Sequence, residues 1–331
     1  RPSIRRAMAA SKGEVRLLRF SDPQGKEAYT RTAQFVIFLA LHRLWPGRVA
    51  KVHCTIGAGL YIEFDKPADF SLQRLKEELR QIIAADIALL RSRTTTEEAT
   101  AYFAGNRRQD KVKLLAWRKR DYFDWYVYGD FKDYYYGEMA PSTGYLTVWD
   151  LVEADGGFVF VLPDDENPDR VALYSDSPNF RAVFTEGQRW CELMGCENVS
   201  ELNDLVRSGG IRELIRVNEA LHEKNYAAVA DLVCQRGARA VMLAGPSSSG
   251  KTTSANRLAT QLRVHGKKPI LMSLDDYYID RDKIAPGPDG KLDLEHINTI
   301  DTDLFREDLK RLLAGEEVEL PSFSFKLGKR V

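Results

Sequence analysis

The amino-acid sequence predicts an α+β N-terminal domain followed by an α/β phosphate-binding-loop domain whose parallel sheet is incomplete. Three observations lead there. Short strand-like and helix-like segments follow one another irregularly from Val15 to Leu162. Residues 180–235 are mostly helical in pattern. From Ala238 the order becomes strand, glycine-rich loop, helix, strand, which opens a parallel α/β domain. The chain thus divides into a basic tail at 1–13, a module at 14–179, a helical connector at 180–237 and the α/β region at 238–331. Its 331 residues suffice for two domains.

The tail carries Arg1, Arg5, Arg6 and Lys12 and reads as a frayed terminus. Val15–Phe20 reads as a strand, and residues 22–25 (Asp-Pro-Gln-Gly) as a turn. Lys26–Trp45 reads as a helix stopped by Pro46-Gly47. Val49–His53 and Leu60–Phe64 form a hairpin around Gly57-Ala-Gly59. Leu75, Leu79, Ile82, Ile83, Ile87 and Leu90 fall at helical spacing, predicting a helix over Leu72–Arg91. A short helix follows Thr96, over Glu97–Phe103. Tyr122–Tyr136 is dense in aromatic rings. Few cations alternate with them, so core packing is favoured over a base-stacking platform. Gly157–Leu162 is strand-like and residues 163–168 are a polar loop. Ser200 is a plausible N-cap for Glu201–Ser208, and two further helices cover Ile211–Asn225 and Ala227–Gln235. There is no internal repeat.

A composition of 44% hydrophobic and 29% charged residues excludes a disordered, collagen-like or coiled-coil chain. Forty-eight basic and 48 acidic side chains give zero net charge, which argues against binding nucleic acid by bulk electrostatics. Cys54, Cys191, Cys196 and Cys234 are no disulfide framework and read as small buried thiols in a reducing compartment. His42, His222 and His265 fall in or near helices and lack a second ligand at metal spacing. The longest apolar run, Phe35–Leu41, is too short for a membrane span, and no signal peptide is visible, so a cytoplasmic location is expected. The chain starts at Arg1 rather than Met and stops soon after a motif, which suggests a fragment.

The chemistry concentrates after Ala238. An apolar strand, Ala240–Ala244, runs into Gly245-Pro246-Ser247-Ser248-Ser249-Gly250-Lys251-Thr252-Thr253 and then a helix over Ser254–His265. This is GxxxxGK[ST] between a strand and a helix. The bare pattern arises by chance in roughly one chain of this length per hundred, and the flanking strand and helix make it rarer. The glycines allow close backbone approach to phosphates, and the helix N-terminus adds donors. Lys251 reaches the β- and γ-phosphates and the Thr252 hydroxyl binds Mg²⁺. The next strand, Pro269–Leu274, ends in Asp275 and Asp276. A carboxylate at a strand's carboxyl end can bind Mg²⁺ through water and accept a proton, or can cap a helix.

Residues 238–331 resemble the first half of a uridine kinase/phosphoribulokinase-type domain. The resemblance rests on Gly245–Thr253, on Ser273–Tyr278, on Leu294-Glu295-His296 and on the segment from Pro321 to Arg330. It implies Asp275 as catalytic base beside Lys251, Glu295 on the ribose hydroxyls, and Phe323 and Phe325 flanking a base. Tyr278 and Arg330 belong to the same implied substrate side. Where uridine kinases carry a base-reading His, this chain has Gly328, so the base is left open. The family's later strand, second acidic Mg²⁺ group and lid are not written before Val331.

Glu97–Leu115, residues 129–133 (Gly-Asp-Phe-Lys-Asp) and 141–145 (Pro-Ser-Thr-Gly-Tyr) resemble the second additional domain of threonyl-tRNA synthetases, which edits mischarged tRNA. The domain's Cys and His fall on Tyr135 and Met139, and its early His pair has no counterpart. The fold is therefore expected without zinc and without editing chemistry. The two resemblances together imply a bacterial nucleoside kinase. It would move the γ-phosphoryl of ATP to a nucleoside 5′-hydroxyl with Mg²⁺. The implied partner is a nucleoside; RNA and membrane are not expected, and an oligomer is left open. The alternatives are a phosphoribulokinase-like or pantothenate-kinase-like enzyme, and a nucleotide-dependent RNA-binding or regulatory protein. A basic groove beside exposed Tyr122–Tyr136 rings favours RNA, and buried rings oppose it.

Overall fold

A computed structural model describes residues 17–246, 248–286, 293–294 and 296–331. The chain divides into two compact units, Arg1–Ile211 and Arg212–Val331. The basic tail, Ser247 and Glu295 lie outside the described residues. The fold is mixed α and β, and every sheet among the described residues is antiparallel. No helix among them is long and apolar enough to cross a membrane.

In the first unit, α1 (Pro23–Leu44) begins at a proline, whose fixed φ suits a first helical position. The turn expected at residues 22–25 is therefore the helix's own entry. Residues 17–20 form no strand, and Leu17 is 87% exposed. Helix α1 buries Phe35, Val36, Ile37, Leu39 and Leu41 in the main core. The hairpin is longer than expected: β1 (Ala50–Ile56) and β2 (Gly59–Phe64). Helix α2 (Leu72–Ala84) is capped by the Ser71 hydroxyl, which accepts from the Arg74 N–H. It stops at Ala84, not Arg91. Asp86 turns left-handed at φ 46°, and its carboxylate accepts from Ser142 Oγ and the Gly144 N–H. Leu90 and Arg91 instead open β3 (Leu90–Thr95).

Helices α3 (Thr96–Gly105) and α4 (Gln109–Ala116) then pack on a sheet of order β3-β4-β5, completed by β4 (Tyr122–Tyr128) and β5 (Phe131–Asp133). The aromatic segment is thus a tight hairpin whose rings pack inward. Phe123 and Trp125 join Phe103, Ala99 and Leu115 in a second core, while Tyr126 and Phe131 enter the main one. Burying each such ring contributes roughly 1.5–3 kcal/mol. A strand the sequence pattern did not offer, β6 (Asp150–Ala154), pairs with β7 (Gly157–Val161), the strand expected at Gly157–Leu162, and β7 also pairs with β2. The order β1-β2-β7-β6 results, with every β7 residue buried.

Helices α5 (Pro178–Leu193) and α6 (Val199–Ser208) follow. The N-cap of α6 is Asn198, and Ser200 is buried inside the helix. Glu201 decides this: its Oε2 accepts from the Glu197 and Asn198 N–H groups at 2.8 and 3.1 Å. Helix α7 (Ile211–Gln235) is continuous through Asn225 and Tyr226, since neither residue stops a helix as Gly or Pro does. The cysteines are not buried thiols. Cys191 is exposed and the other three are half-buried.

The second unit holds α8 (Lys251–Val264), α9 (Thr302–Ala314) and a small hairpin of β8 (Phe323–Ser324) and β9 (Lys329–Arg330). The expected parallel sheet is not formed among the described residues. Ala240–Ala244 and residues 269–273 pair with no strand among the described residues, Leu274 already opens a 3-10 turn (Leu274–Tyr277), and Met242 is 72% and Ile270 61% exposed. A strand exists only through the ladder its neighbour supplies, and apolar sequence alone does not provide that neighbour.

Candidate functional site

The described residues of the Gly245–Thr253 segment turn tightly into α8. Gly250, immediately before α8, is left-handed at φ 83°, and Ser248 is left-handed at φ 60°. A Cβ at Gly245 would come within 2.8 Å of Ser249 Oγ, so the Ser249 side chain already fills the space beside Gly245. The first N–H groups of α8 have no partner within the helix and carry its positive dipole end. Lys251 Nζ donates to the Gly245 and Pro246 carbonyls at 2.9 and 2.8 Å. The ammonium is therefore folded across the mouth of the loop. Thr252 and Thr253 stand exposed on the first turn. The residues present fit the phosphates of a nucleotide with Mg²⁺. Pro246, Ser248 and Ser249 complete the described part of the loop.

The two aspartates separate clearly. Asp276 Oδ1 accepts from the Phe323 N–H at 3.2 Å, which ties it to β8. The Asp275 carboxylate is exposed and accepts no hydrogen bond among the described residues. The Asp275 N–H donates to Ser273 Oγ, so Ser273 and not Asp275 caps this turn.

The structure brings the rings of Tyr278, Phe323 and Phe325 together. Their ring centroids are 5.6, 5.8 and 5.3 Å apart. Phe323 is buried and Phe325 is 54% exposed, leaving one face for a flat ligand. Arg330 is not aimed outward. Its guanidinium donates to Asp301 Oδ2 and to the Tyr277 and Tyr278 carbonyls, holding the segment that carries Tyr278. Beneath it the buried Tyr277 hydroxyl donates to Asp308 at 3.0 Å.

The backbone at Gly328 does not accommodate the histidine of the uridine kinase pattern. Gly328 is left-handed at φ 66°, its N–H donates to the Ser324 carbonyl at 2.7 Å, and a Cβ there would meet Arg281 Cδ at 2.7 Å. Gly328→His should therefore cost about 1–3 kcal/mol. A thermal melt of the full chain should show a midpoint lower by several degrees; an unchanged midpoint would refute the strain.

In the first unit, the positions matching the editing motif are filled by packing. The Tyr135 ring lies 6.3 Å from Phe35, and its hydroxyl is buried without a partner, which pushes its pKa well up. Met139 is part of the main core. No group of three or more His, Cys, Asp or Glu among the described residues could hold a metal ion. Nearby is a pair the sequence reading did not single out. Lys111 Nζ contacts Asp133 Oδ1, both buried, and the ammonium lies 5.0 Å from the Phe103 and Tyr134 ring centroids. Burial holds this lysine below its usual pKa, with Asp133 opposing the shift. The sequence signal was available: a lysine four residues before Leu115 on the buried face of α4. Three guanidinium groups, those of Arg93, Arg118 and Arg120, lie 4.1, 6.0 and 5.6 Å from the Tyr122 ring, a grouping visible only in three dimensions.

No family model matches the chain. Curated relatives do. Over 152 residues the chain is 30% identical to the threonine–tRNA ligase of Syntrophomonas wolfei subsp. wolfei, covering 44% of this chain and 24% of that protein. The threonine–tRNA ligase of Desulforamulus reducens is 32% identical over 148 residues, 44% of this chain and 23% of the relative. That of Thermotoga petrophila is 26% identical over 189 residues, 53% of this chain and 29% of the relative. The chain spans about a quarter of the length of these relatives. They agree with a threonyl-tRNA synthetase-like module in this chain. They overturn the expectation of an alcohol phosphotransferase: these relatives are named ligases, and nothing in them supports a fusion to a uridine kinase.

Proposed function

We propose that this chain is a nucleotide-dependent RNA-binding protein of the reducing cytoplasm, with ATP and Mg²⁺ as the nucleotide ligand. The observation that carries the nucleotide half is the left-handed, glycine-lined loop before α8, closed by Lys251. Thr252 would ligate Mg²⁺, and Asp275, exposed and accepting no hydrogen bond, would face the ion through water. Tyr278, Phe323 and Phe325 would receive a nucleoside ring against the exposed face of Phe325. Glu295 would serve the ribose hydroxyls of the same ligand.

The RNA half draws on the names of the relatives and on the β3–β4 surface. The buried rings of Phe123, Trp125 and Tyr126 give no base-stacking platform and count against the RNA reading by the criterion set from the sequence, so on the structural side the reading rests on the basic edge alone. At that edge Arg93, Arg118 and Arg120 surround the Tyr122 ring, with exposed Lys119 between the last two. Such a group binds phosphates rather than bases. Its affinity should fall steeply with salt. Bulk tRNA should bind the full chain at low salt, and ATP with Mg²⁺ should change that affinity. The double substitution Lys119→Glu/Arg120→Glu reverses two exposed charges and, besides the Arg120 contact with the Tyr122 ring and hydroxyl, touches no buried group among the described residues. It should weaken binding about tenfold or more and flatten the salt dependence by one to two charges. Equal binding by the altered and unaltered chains, measured by filter retention, would sink the RNA assignment.

A further inference from the structure

We propose that Cys191 and Cys196 form a modification site, a dithiol that closes to an intramolecular disulfide by exchange with a low-molecular-weight disulfide. The pair owes its geometry to how α5 ends. Gly195 is left-handed at φ 60°. Its N–H donates to the Glu192 carbonyl at 3.0 Å, and the Cys196 N–H donates to the Cys191 carbonyl at 2.9 Å. These are the two bonds of a Schellman helix end, in which the side chains at the Cys191 and Cys196 positions meet. The 2.9 Å link also sets a limit. With standard backbone dimensions it caps the Cα–Cα separation at about 6.8 Å. Disulfides span roughly 4.4–6.8 Å. The helix end thus holds the two Cα atoms within the span a disulfide bridges although the cysteines are five residues apart in sequence.

Access is unequal. Cys191 is exposed and Cys196 half-buried. Burial, then the neighbouring Cys191 and Glu201, push the Cys196 thiol up. Cys191 is therefore the thiol that meets the reagent. Its thiolate attacks one sulfur of the small disulfide, forming a mixed disulfide and expelling one small thiolate. The Cys196 thiolate then attacks the Cys191 sulfur, forming the Cys191–Cys196 bond and expelling the second. Two protein thiols lose two electrons and two protons, and the small disulfide is reduced to two thiols. The product joins the end of α5 to the chain entering α6, next to the Glu201 carboxylate that Lys113 Nζ contacts at 2.7 Å. The remaining cysteines, Cys54 in β1 and Cys234 in α7, are half-buried and serve as internal controls.

The test uses the full chain with oxidised glutathione, followed by alkylation of remaining thiols and peptide mapping. The expected product is an internal Cys191–Cys196 link in severalfold excess over any glutathione adduct. In Cys196→Ser the reaction should stop at a stable adduct on Cys191. Phenylarsine oxide, which bridges two adjacent thiols, should bind one per reduced chain and be lost in either Cys191→Ser or Cys196→Ser. A glutathione adduct that persists on Cys191 in the unaltered chain would overturn the proposal. So would a Cys191 link to a second chain, or stoichiometric phenylarsine oxide retained in both variants.

Discussion

Lys111→Met should destabilise the first unit by about 3–5 kcal/mol, because it takes the contacting ammonium from a buried Asp133 and leaves only Arg108, itself hydrogen-bonded to Asp110, as a more distant cation. The pair sits between Phe103 and Tyr134, with neither partner more than 11% exposed at the side chain. The Asp133 Oδ1 also accepts from the Tyr134 N–H at 2.8 Å, a bond that cannot replace the lost ammonium. The double change Lys111→Met/Asp133→Leu removes both charges and should recover much of the loss, since a buried ion pair is often worth no more than a well-packed apolar pair. Urea unfolding of the full chain, followed by tryptophan fluorescence, distinguishes these cases because Trp125 lies in the same core. A single variant within about 1 kcal/mol of the unaltered chain would show that Asp133 is solvated or protonated there.

Lys251→Ala should weaken binding of ATP with Mg²⁺ by about 10- to 150-fold, the equivalent of a charged hydrogen bond of 1.5–3 kcal/mol. The loop should survive the change. Lys251 is on the first turn of α8, and its side chain reaches only two carbonyls of an exposed segment. Its removal should move stability by no more than about 0.5 kcal/mol. Titration calorimetry of both proteins, with melting curves as a control for folding, reads the two effects separately. Unchanged affinity in a folded variant would remove the phosphate role of the loop and with it the nucleotide half of the proposed function.

The turn from Gly245 into α8 was legible because its cause is local: two glycines, a lysine and a threonine at fixed spacing specify a backbone shape. The division of labour between Asp275 and Asp276 was not, since it depends on which carboxylate the Phe323 N–H reaches from 47 residues away. Helix α2 was read too long because Ile87 and Leu90 continue its apolar spacing. Only the turn at Asp86, fixed by contacts from Ser142 and Gly144, shows where it stops. The aromatic run from Tyr122 was read correctly as packing, since a hairpin of alternating rings between two cores needs few cations. The apolar runs Ala240–Ala244 and Pro269–Leu274 mark the opposite case. Composition suggested a sheet, and no described neighbour completes one.

The order β1-β2-β7-β6 sets the sequence of events in folding. Each outer pair is a hairpin that closes over a few residues, Ile56 against Gly59 and Ala154 against Gly157. Their junction instead brings Glu63 to Gly157, across the whole excursion that holds β3, β4 and β5. Closing a loop of that size costs about 4 kcal/mol of chain entropy, beyond a length-independent term. Local turns form in microseconds, whereas pairing that must wait for distant chain ends is slow. The two hairpins and the helix-covered β3–β5 sheet would then assemble first as separate pieces. The β2–β7 seam would zip last, committing the unit to its native state by burying both faces of β7 in one step.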